Sequence, residues 1–268
     1  MDIATKQVIL DVPQVGTDFM GKPETKPPFL PSRKRKTVSD SELESFYSAL
    51  REYYLGLPYN NERIIRYEHN YQGIARIACV FTSMKGITVL HKDRLESSQA
   101  MIYTSNHVGS YDQFFVPAAL GKTALHYLVK NKVSKWYVRW NLLYKPTGVV
   151  LVEPENMKSW NYAKAELMQY ILHDSKVFIF AEGSRRGENN IGGFNPGIAQ
   201  IAQEAGQNIC TLAIKNTASL LSKNPVICVG ETVTVSPRED IRAATERIKT
   251  GVVNAYNEIL EYENEYRR

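Results

Sequence analysis

Beyond Gly86, short β-rich runs alternate with helical stretches, and this alternation restricts the chain more than any other feature. Strands are expected over 87–91, 100–105, 124–129, 148–152, 176–181, 208–214 and 226–235. Helices are expected over 112–120, 134–144, 158–173, 196–206 and 237–263. A strand that runs into a helix cannot turn back as a hairpin. It must cross over, and crossovers lay strands parallel. The expected fold is therefore α/β, with a largely parallel central sheet flanked by helices. Pro196 behind Asn195 and Pro237 behind Ser236 read as first-turn prolines that follow a capping residue.

The first 85 residues read differently. Pro13, Pro23, Pro27, Pro28 and Pro31 break any regular element and leave residues 1–37 as an arm, ending in Arg33-Lys34-Arg35-Lys36. That basic run is either a solvated linker or a contact for anionic headgroups. Residues 38–85 read as a helical hairpin. Ser39 and Glu42 have capping-box spacing, Leu43, Phe46, Tyr47, Leu50 and Tyr54 follow at helical period, and Gly56 with Pro58 stops the helix. A second helix is expected over 61–84, its stripe of Ile64, Tyr67, Tyr71, Ile74, Ala78 and Phe81 flanked by Arg63, Arg66 and Arg76. It could pack on the main domain or face a membrane. The main domain is taken as 86–268.

Composition narrows the functional classes. With 268 residues and 43% hydrophobic content, the chain can build a sizeable core. A formal net charge of +5 is too weak to argue for nucleic acid, but it suits an anionic lipid surface, an acidic carrier or a phosphorylated substrate. Cys79, Cys210 and Cys228 are odd in number and far apart, which suggests a reducing compartment and no structural zinc. No signal peptide is expected, and no apolar run approaches the roughly 20 residues needed to span a bilayer.

Two strand–loop–helix junctions carry chemistry. The strand over 100–105 runs into Asn106-His107-Val108-Gly109-Ser110-Tyr111-Asp112. Groups at the carboxyl ends of parallel strands are where α/β proteins place their sites. A tight turn through Gly109 could bring the Asp112 carboxylate to the His107 imidazole, leaving the other ring nitrogen to accept a proton. That is the base half of a triad whose nucleophile is a substrate hydroxyl. The other reading is a buried, hydrogen-bonded structural histidine. Five positions after the other four histidines stand Ile74, Glu96, Asn131 and Phe178, so only His107 has an Asp there.

The second junction repeats the layout. The strand over 176–181 leads into Glu182-Gly183-Ser184-Arg185-Arg186-Gly187, then Phe194-Asn195-Pro196-Gly197 and a helix. Arginines and free backbone N–H groups in such a loop can hold an anion, although an ordinary charged surface loop would look the same.

Together the two junctions resemble the glycerophospholipid acyltransferase family, which includes the lysophosphatidate acyltransferases. Its first block, N-H-x-x-x-x-D, is Asn106, His107 and Asp112. Its third, F-P-E-G-T-R with a downstream Phe and Gly, reads Phe180-Ala181-Glu182-Gly183-Ser184-Arg185 with Phe194 and Gly197. The resemblance runs from about Gly86 to Ile214. It implies transfer of a fatty acyl group from a thioester, on coenzyme A or acyl carrier protein, to a hydroxyl of a glycerol-phosphate or lysophospholipid acceptor. His107 is then the base and Asp112 its orienting group. Asn106, Glu182, Gly183, Ser184 and Arg185 are substrate-binding residues, with Lys130 as a further phosphate-binding candidate. No cofactor beyond the acyl co-substrate and no metal is implied. The partners are acyl-CoA or acyl carrier protein, the lysolipid or glycerol-phosphate acceptor and an anionic membrane surface. The protein is expected in the cytoplasm, peripheral to the membrane.

Two blocks depart from the pattern. The second usually ends in an arginine, but here Gly148-Val149-Val150-Leu151-Val152-Glu153 is followed by Pro154. That leaves the acceptor headgroup open. The fourth usually carries a proline near where Thr211 stands, a change expected to alter packing rather than chemistry. Lys130, Lys132, Lys135, Arg139 and Lys145 interleave with Trp136, Tyr137, Trp140 and Tyr144, as at a membrane interface or on a helix packed over the sheet. Two other functions compete with acyl transfer. One is a non-catalytic binder of acyl chains or acyl carrier, which the intact His107 and Asp112 disfavour. The other is a metal-dependent hydrolase built on His107, Asp112 and Glu182, for which no second well-placed histidine exists.

Overall fold

A computed structural model describes residues 28, 39–57, 86–97, 99, 101–120, 124–130, 149–188, 190–219 and 224–266. The arm apart from Pro28, the second helix expected over 61–84, the helix over 134–144 with its aromatic and basic residues, Gly148 and Cys79 lie outside the described residues.

The described elements are α1 (Asp40–Leu55), β1 (Thr88–Leu90), α2 (Asp93–Ser97), β2 (Ile102–Ser105), α3 (Asp112–Leu120), β3 (Leu125–Lys130), β4 (Val150–Val152), α4 (Met157–Leu172), β5 (Lys176–Ile179), α5 (Gly197–Ala205), β6 (Ile209–Lys215), β7 (Val226–Val233) and α6 (Ile241–Tyr266). The strands form one seven-stranded sheet in the order β1-β7-β6-β2-β5-β3-β4. Neighbours are parallel except β6 and β7. The fold is α/β with a largely parallel sheet, as the alternation requires. Because β6, β2, β5, β3 and β4 all point one way, the loops after them open on one edge of the sheet.

The central strands are buried on both faces, so they read as continuous apolar runs. Successive residues serve opposite layers. Ile102, Val177 and Ile179 join the core under α4, α5 and the first half of α6, while Tyr103 and Phe178 join the core under α3 with Phe115 and Val116. The capping box on α1 is present, with Glu42 N–H donating to Ser39 Oγ and Ser39 N–H to the Glu42 carboxylate. Its apolar stripe of Leu43, Tyr47, Leu50 and Tyr54 enters the same core as α4 and α5. Tyr47 Oη donates to Gln203 at 2.8 Å, and Gln169 Nε2 donates to the carbonyls of Tyr54 and Leu57.

Two helix starts differ from expectation. Pro237 does not open α6. Asp240 does, taking the N–H groups of Arg242 and Ala243 on its carboxylate, while the 236–239 turn before it is held by Ser236 N–H donating to Glu239. At α5 the cap position is Pro196 itself, and Asn195 makes no cap bond because its amide turns back to the Ala181 carbonyl. The short α2 was not expected. Thr211, standing near the family's proline, sits where the β6–β7 register shifts, and its hydroxyl donates to the Glu231 carbonyl. No helix among the described residues is long and apolar enough to cross a membrane.

Candidate active site

The loop after β2 and the loop after β5 meet over the sheet edge. His107 leaves the carboxyl end of β2, and Asp112 is the first residue of α3. His107 Nδ1 lies 2.6 Å from Asp112 Oδ2. The carboxylate is fully buried, whereas the imidazole keeps 15% of its side-chain surface exposed. Asp112 also accepts the N–H of Val108 at 2.8 Å, the N–H of Gly109 at 3.0 and 3.1 Å, and the Thr217 hydroxyl at 2.7 Å. Every group around it donates, so the carboxylate is held as an acceptor and Nδ1 of His107 carries the proton. Nε2 makes no hydrogen bond among the described residues.

The ring is fixed from a second side. Phe180, the first residue after β5, stacks on it with centroids 4.0 Å apart and planes 15° from parallel. Arg186 N–H donates to the His107 carbonyl at 2.9 Å, so the third-block loop is fastened directly to the histidine's own backbone. Gly109 is required for a reason that sequence spacing does not reveal. A Cβ there would stand 2.8 Å from Ala218 Cα and 3.1 Å from its carbonyl oxygen, in the loop after β6. Thr217 and Ala218 are thus the underside of the site, brought there because β6 is a direct neighbour of β2.

Asn106 ties β2 to β6. It is buried, and both ends of its amide are used on Ile214: Nδ2 donates to the carbonyl at 2.9 Å and Oδ1 accepts the N–H at 2.8 Å. A side chain with its donor and acceptor taken by one backbone residue is a clamp between β2 and β6.

Glu182 is 5% exposed, and both carboxylate oxygens lack a hydrogen-bond partner among the described residues. Burial pushes its pKa up to about 7. The N–H groups of His107 and Gly192 lean toward it short of full hydrogen-bond geometry and, with the Arg186 charge, oppose the rise, to which Asp112 adds. Gly183 adopts φ 63°, and a Cβ there would meet the Asn195 amide nitrogen at 2.5 Å. Lys130, at the end of β3, brings its Cε alongside Gly183. It stands in register with Val152, two residues before Pro154, where the second-block arginine is missing. Ser184 and Arg185 are exposed farther along the loop. Glu153 serves locally, its N–H donating to Ser159 and its carbonyl accepting from Asn156, the cap of α4.

Residues 86–215 match the family described as Acyltransferase. A curated relative, a probable 1-acyl-sn-glycerol-3-phosphate acyltransferase of Mycoplasma genitalium, is 26% identical over 180 residues. That match takes in 64% of this chain and spans 63% of the relative's length. Among solved structures, the 1-acyl-sn-glycerophosphate (LPA) acyltransferase PlsC of Thermotoga maritima aligns with a TM-score of 0.47 and 15% identity, over 83% of this chain and 85% of that one. The matched segment, just under half of the chain, contains the β2 and β5 loops and Lys130 and is similar to the family described as Acyltransferase.

Proposed function

We propose that the protein is an O-acyltransferase that moves a fatty acyl group from a thioester, on coenzyme A or acyl carrier protein, to a hydroxyl of a glycerol-phosphate or lysophospholipid acceptor. The observation that carries this reading is the His107–Asp112 pair, 2.6 Å apart, on a loop with a free Nε2. No protein hydroxyl or thiol need act as nucleophile in this scheme. His107 Nε2 takes the proton from the acceptor hydroxyl as its oxygen attacks the thioester carbonyl. The tetrahedral intermediate collapses, the C–S bond breaks, and the proton passes from His107 to the leaving thiolate. Asp112 keeps Nδ1 protonated and steadies the imidazolium formed midway.

Glu182 and Gly183 position the acceptor, with Lys130, Ser184 and Arg185 for its phosphate. Lys130 is the cation standing next to the place where the family's arginine is missing, so it takes over part of that role. Asn106 positions the loop and touches no substrate. The acyl chain of the product and the mild basic charge favour work at the cytoplasmic surface of an anionic membrane. The acyltransferase family match and the name of the Mycoplasma relative support the same substrate class.

The test is a donor-by-acceptor screen with mass detection of products, run on wild type and His107→Ala. The expected result is thioester-dependent acylation of a lysolipid or glycerol phosphate, lowered ~100- to 10,000-fold in the variant. Activity largely retained by His107→Ala would remove the proposed base.

A further inference from the structure

Three side chains that acyl transfer does not use converge at the β1 edge of the sheet. His91 follows β1, Cys228 lies on β7, and Glu258 lies on α6. Their ligating atoms all fall within 4.8 Å of one another. His91 Nε2 is 2.9 Å from Glu258 Oε2, and Cys228 Sγ is 3.3 Å from the same oxygen. The topology explains the meeting. Leu90 stands in register with Cys228, so the next residue leaves β1 beside it. Ala255 and Ile259 of α6 share a buried cluster with Cys228, which brings Glu258 over the strand.

We propose that His91, Cys228 and Glu258 form a zinc site. Imidazole nitrogen, thiolate sulfur and carboxylate oxygen are ordinary zinc ligands, and a thiolate disfavours calcium or magnesium. With Zn–N and Zn–O near 2.0–2.2 Å and Zn–S near 2.3 Å, tetrahedral ligands stand about 3.3–3.7 Å apart. The observed 2.9 and 3.3 Å separations need only small adjustments. The His91 side chain is 44% exposed and Glu258 30%, giving an entry path and a fourth position for water.

Arg94 is the main objection, since its Nη1 lies 3.2 and 3.0 Å from the two Glu258 oxygens. It also donates to the Val229 carbonyl, which anchors it. With zinc on Oε2, the guanidinium remains on Oε1 as an outer partner of the ligating carboxylate. Binding expels the Cys228 proton to solvent, so thiolate and carboxylate together offset the metal charge. Burial and the Glu258 carboxylate hold that thiol well above its usual range, so binding strengthens as pH rises. The metal would tie the edge strand of the acyltransferase segment to α6, which lies outside the matched residues.

Cobalt substitution tests the site on the full chain after chelator treatment. One equivalent of Co²⁺ should give a thiolate-to-cobalt charge-transfer band in the near ultraviolet, bleached by Zn²⁺. The band should vanish in Cys228→Ser and persist in Cys79→Ser and Cys210→Ser. His91→Asn, which suits the left-handed backbone at that position, should weaken cobalt binding tenfold or more. No band in the wild type, or a band kept by Cys228→Ser, overturns the proposal. If Cys228→Ser fails to fold, wild-type affinity in His91→Asn does the same. Each result is independent of acyl transfer.

Discussion

Thr217 donates its hydroxyl to Asp112 at 2.7 Å across 105 residues of sequence, so the loop after β6 helps hold the carboxylate that holds His107. Thr217 is itself fully buried, and no water can replace its hydroxyl without rearrangement. Thr217→Val keeps the shape and removes the donor. The expected loss is about 1–3 kcal/mol of stability, the range for a buried hydrogen bond to a charged group. The acyl-transfer rate should fall roughly tenfold with acceptor KM little changed, because in the proposed mechanism Asp112 acts on the base and not on the substrate. Denaturant melts and steady-state kinetics check the two halves separately. A change in KM alone would mean that Thr217 supports binding instead.

Gly109 makes a sharper structural test. A methyl there meets the Ala218 backbone at 2.8 Å, and backbone cannot step aside as a side-chain tip can. Gly109→Ala should cost about 1–3 kcal/mol and misplace the His107 loop. Gly193→Ala is the control, since a Cβ there meets nothing within 4 Å. It should stay within about 0.5 kcal/mol of wild type. Thermal melts of the two variants side by side decide the matter. Equal stabilities would show that the 107–112 loop has slack that the 2.8 Å approach denies.

Much of this arrangement is legible in the sequence because it is local. The Ser39–Glu42 box, the α1 stripe and the strand–loop–helix junctions all use neighbours within a few residues, where spacing translates directly into geometry. The approach of Asp112 to His107 belongs to this class. Thr217 and Ala218 do not, since they reach the site only because β6 lies beside β2, and nothing in single-residue spacing encodes strand order. The Asn106 clamp is not legible for the same reason, its partner Ile214 being 108 residues away. Asn195 does not cap α5 because the Ala181 carbonyl takes its amide, and Ser236 does not cap α6 because a local 236–239 turn intervenes before Asp240. His91, Cys228 and Glu258 meet only in space, with no motif spacing in the sequence to announce them.

Lys130 allows the acceptor headgroup to be probed. Its ammonium is a flexible point charge, suited to a phosphate but not to bidentate selection. Lys130→Met keeps the stem against Gly183 and removes the charge. With a phosphorylated acceptor, KM should rise about tenfold while kcat changes less than about threefold. With an uncharged monoacylglycerol the two proteins should behave alike. An equal loss on both acceptors would assign Lys130 to the fold and not to the phosphate.

Glu182 links the site to pH. Its carboxyl rises from an ordinary 4.5 to about 7 because it is buried without a hydrogen-bond partner among the described residues. The folded state therefore holds this proton more tightly than the unfolded chain. Its contribution to stability is fully present below pH 4.5 and is lost as pH rises through 7. Glu182→Gln has no proton to lose and keeps nearly the same volume. The variant should match wild type most closely near pH 4.5 and gain on it as pH rises. The gain should reach on the order of 2 kcal/mol and level off above about pH 8. Urea denaturation at steps between pH 4.5 and 8.5 measures it, since every other titrating group is shared and cancels in the difference. A stability difference that stays constant over that range would mean that Glu182 ionises normally and is better solvated than its burial implies.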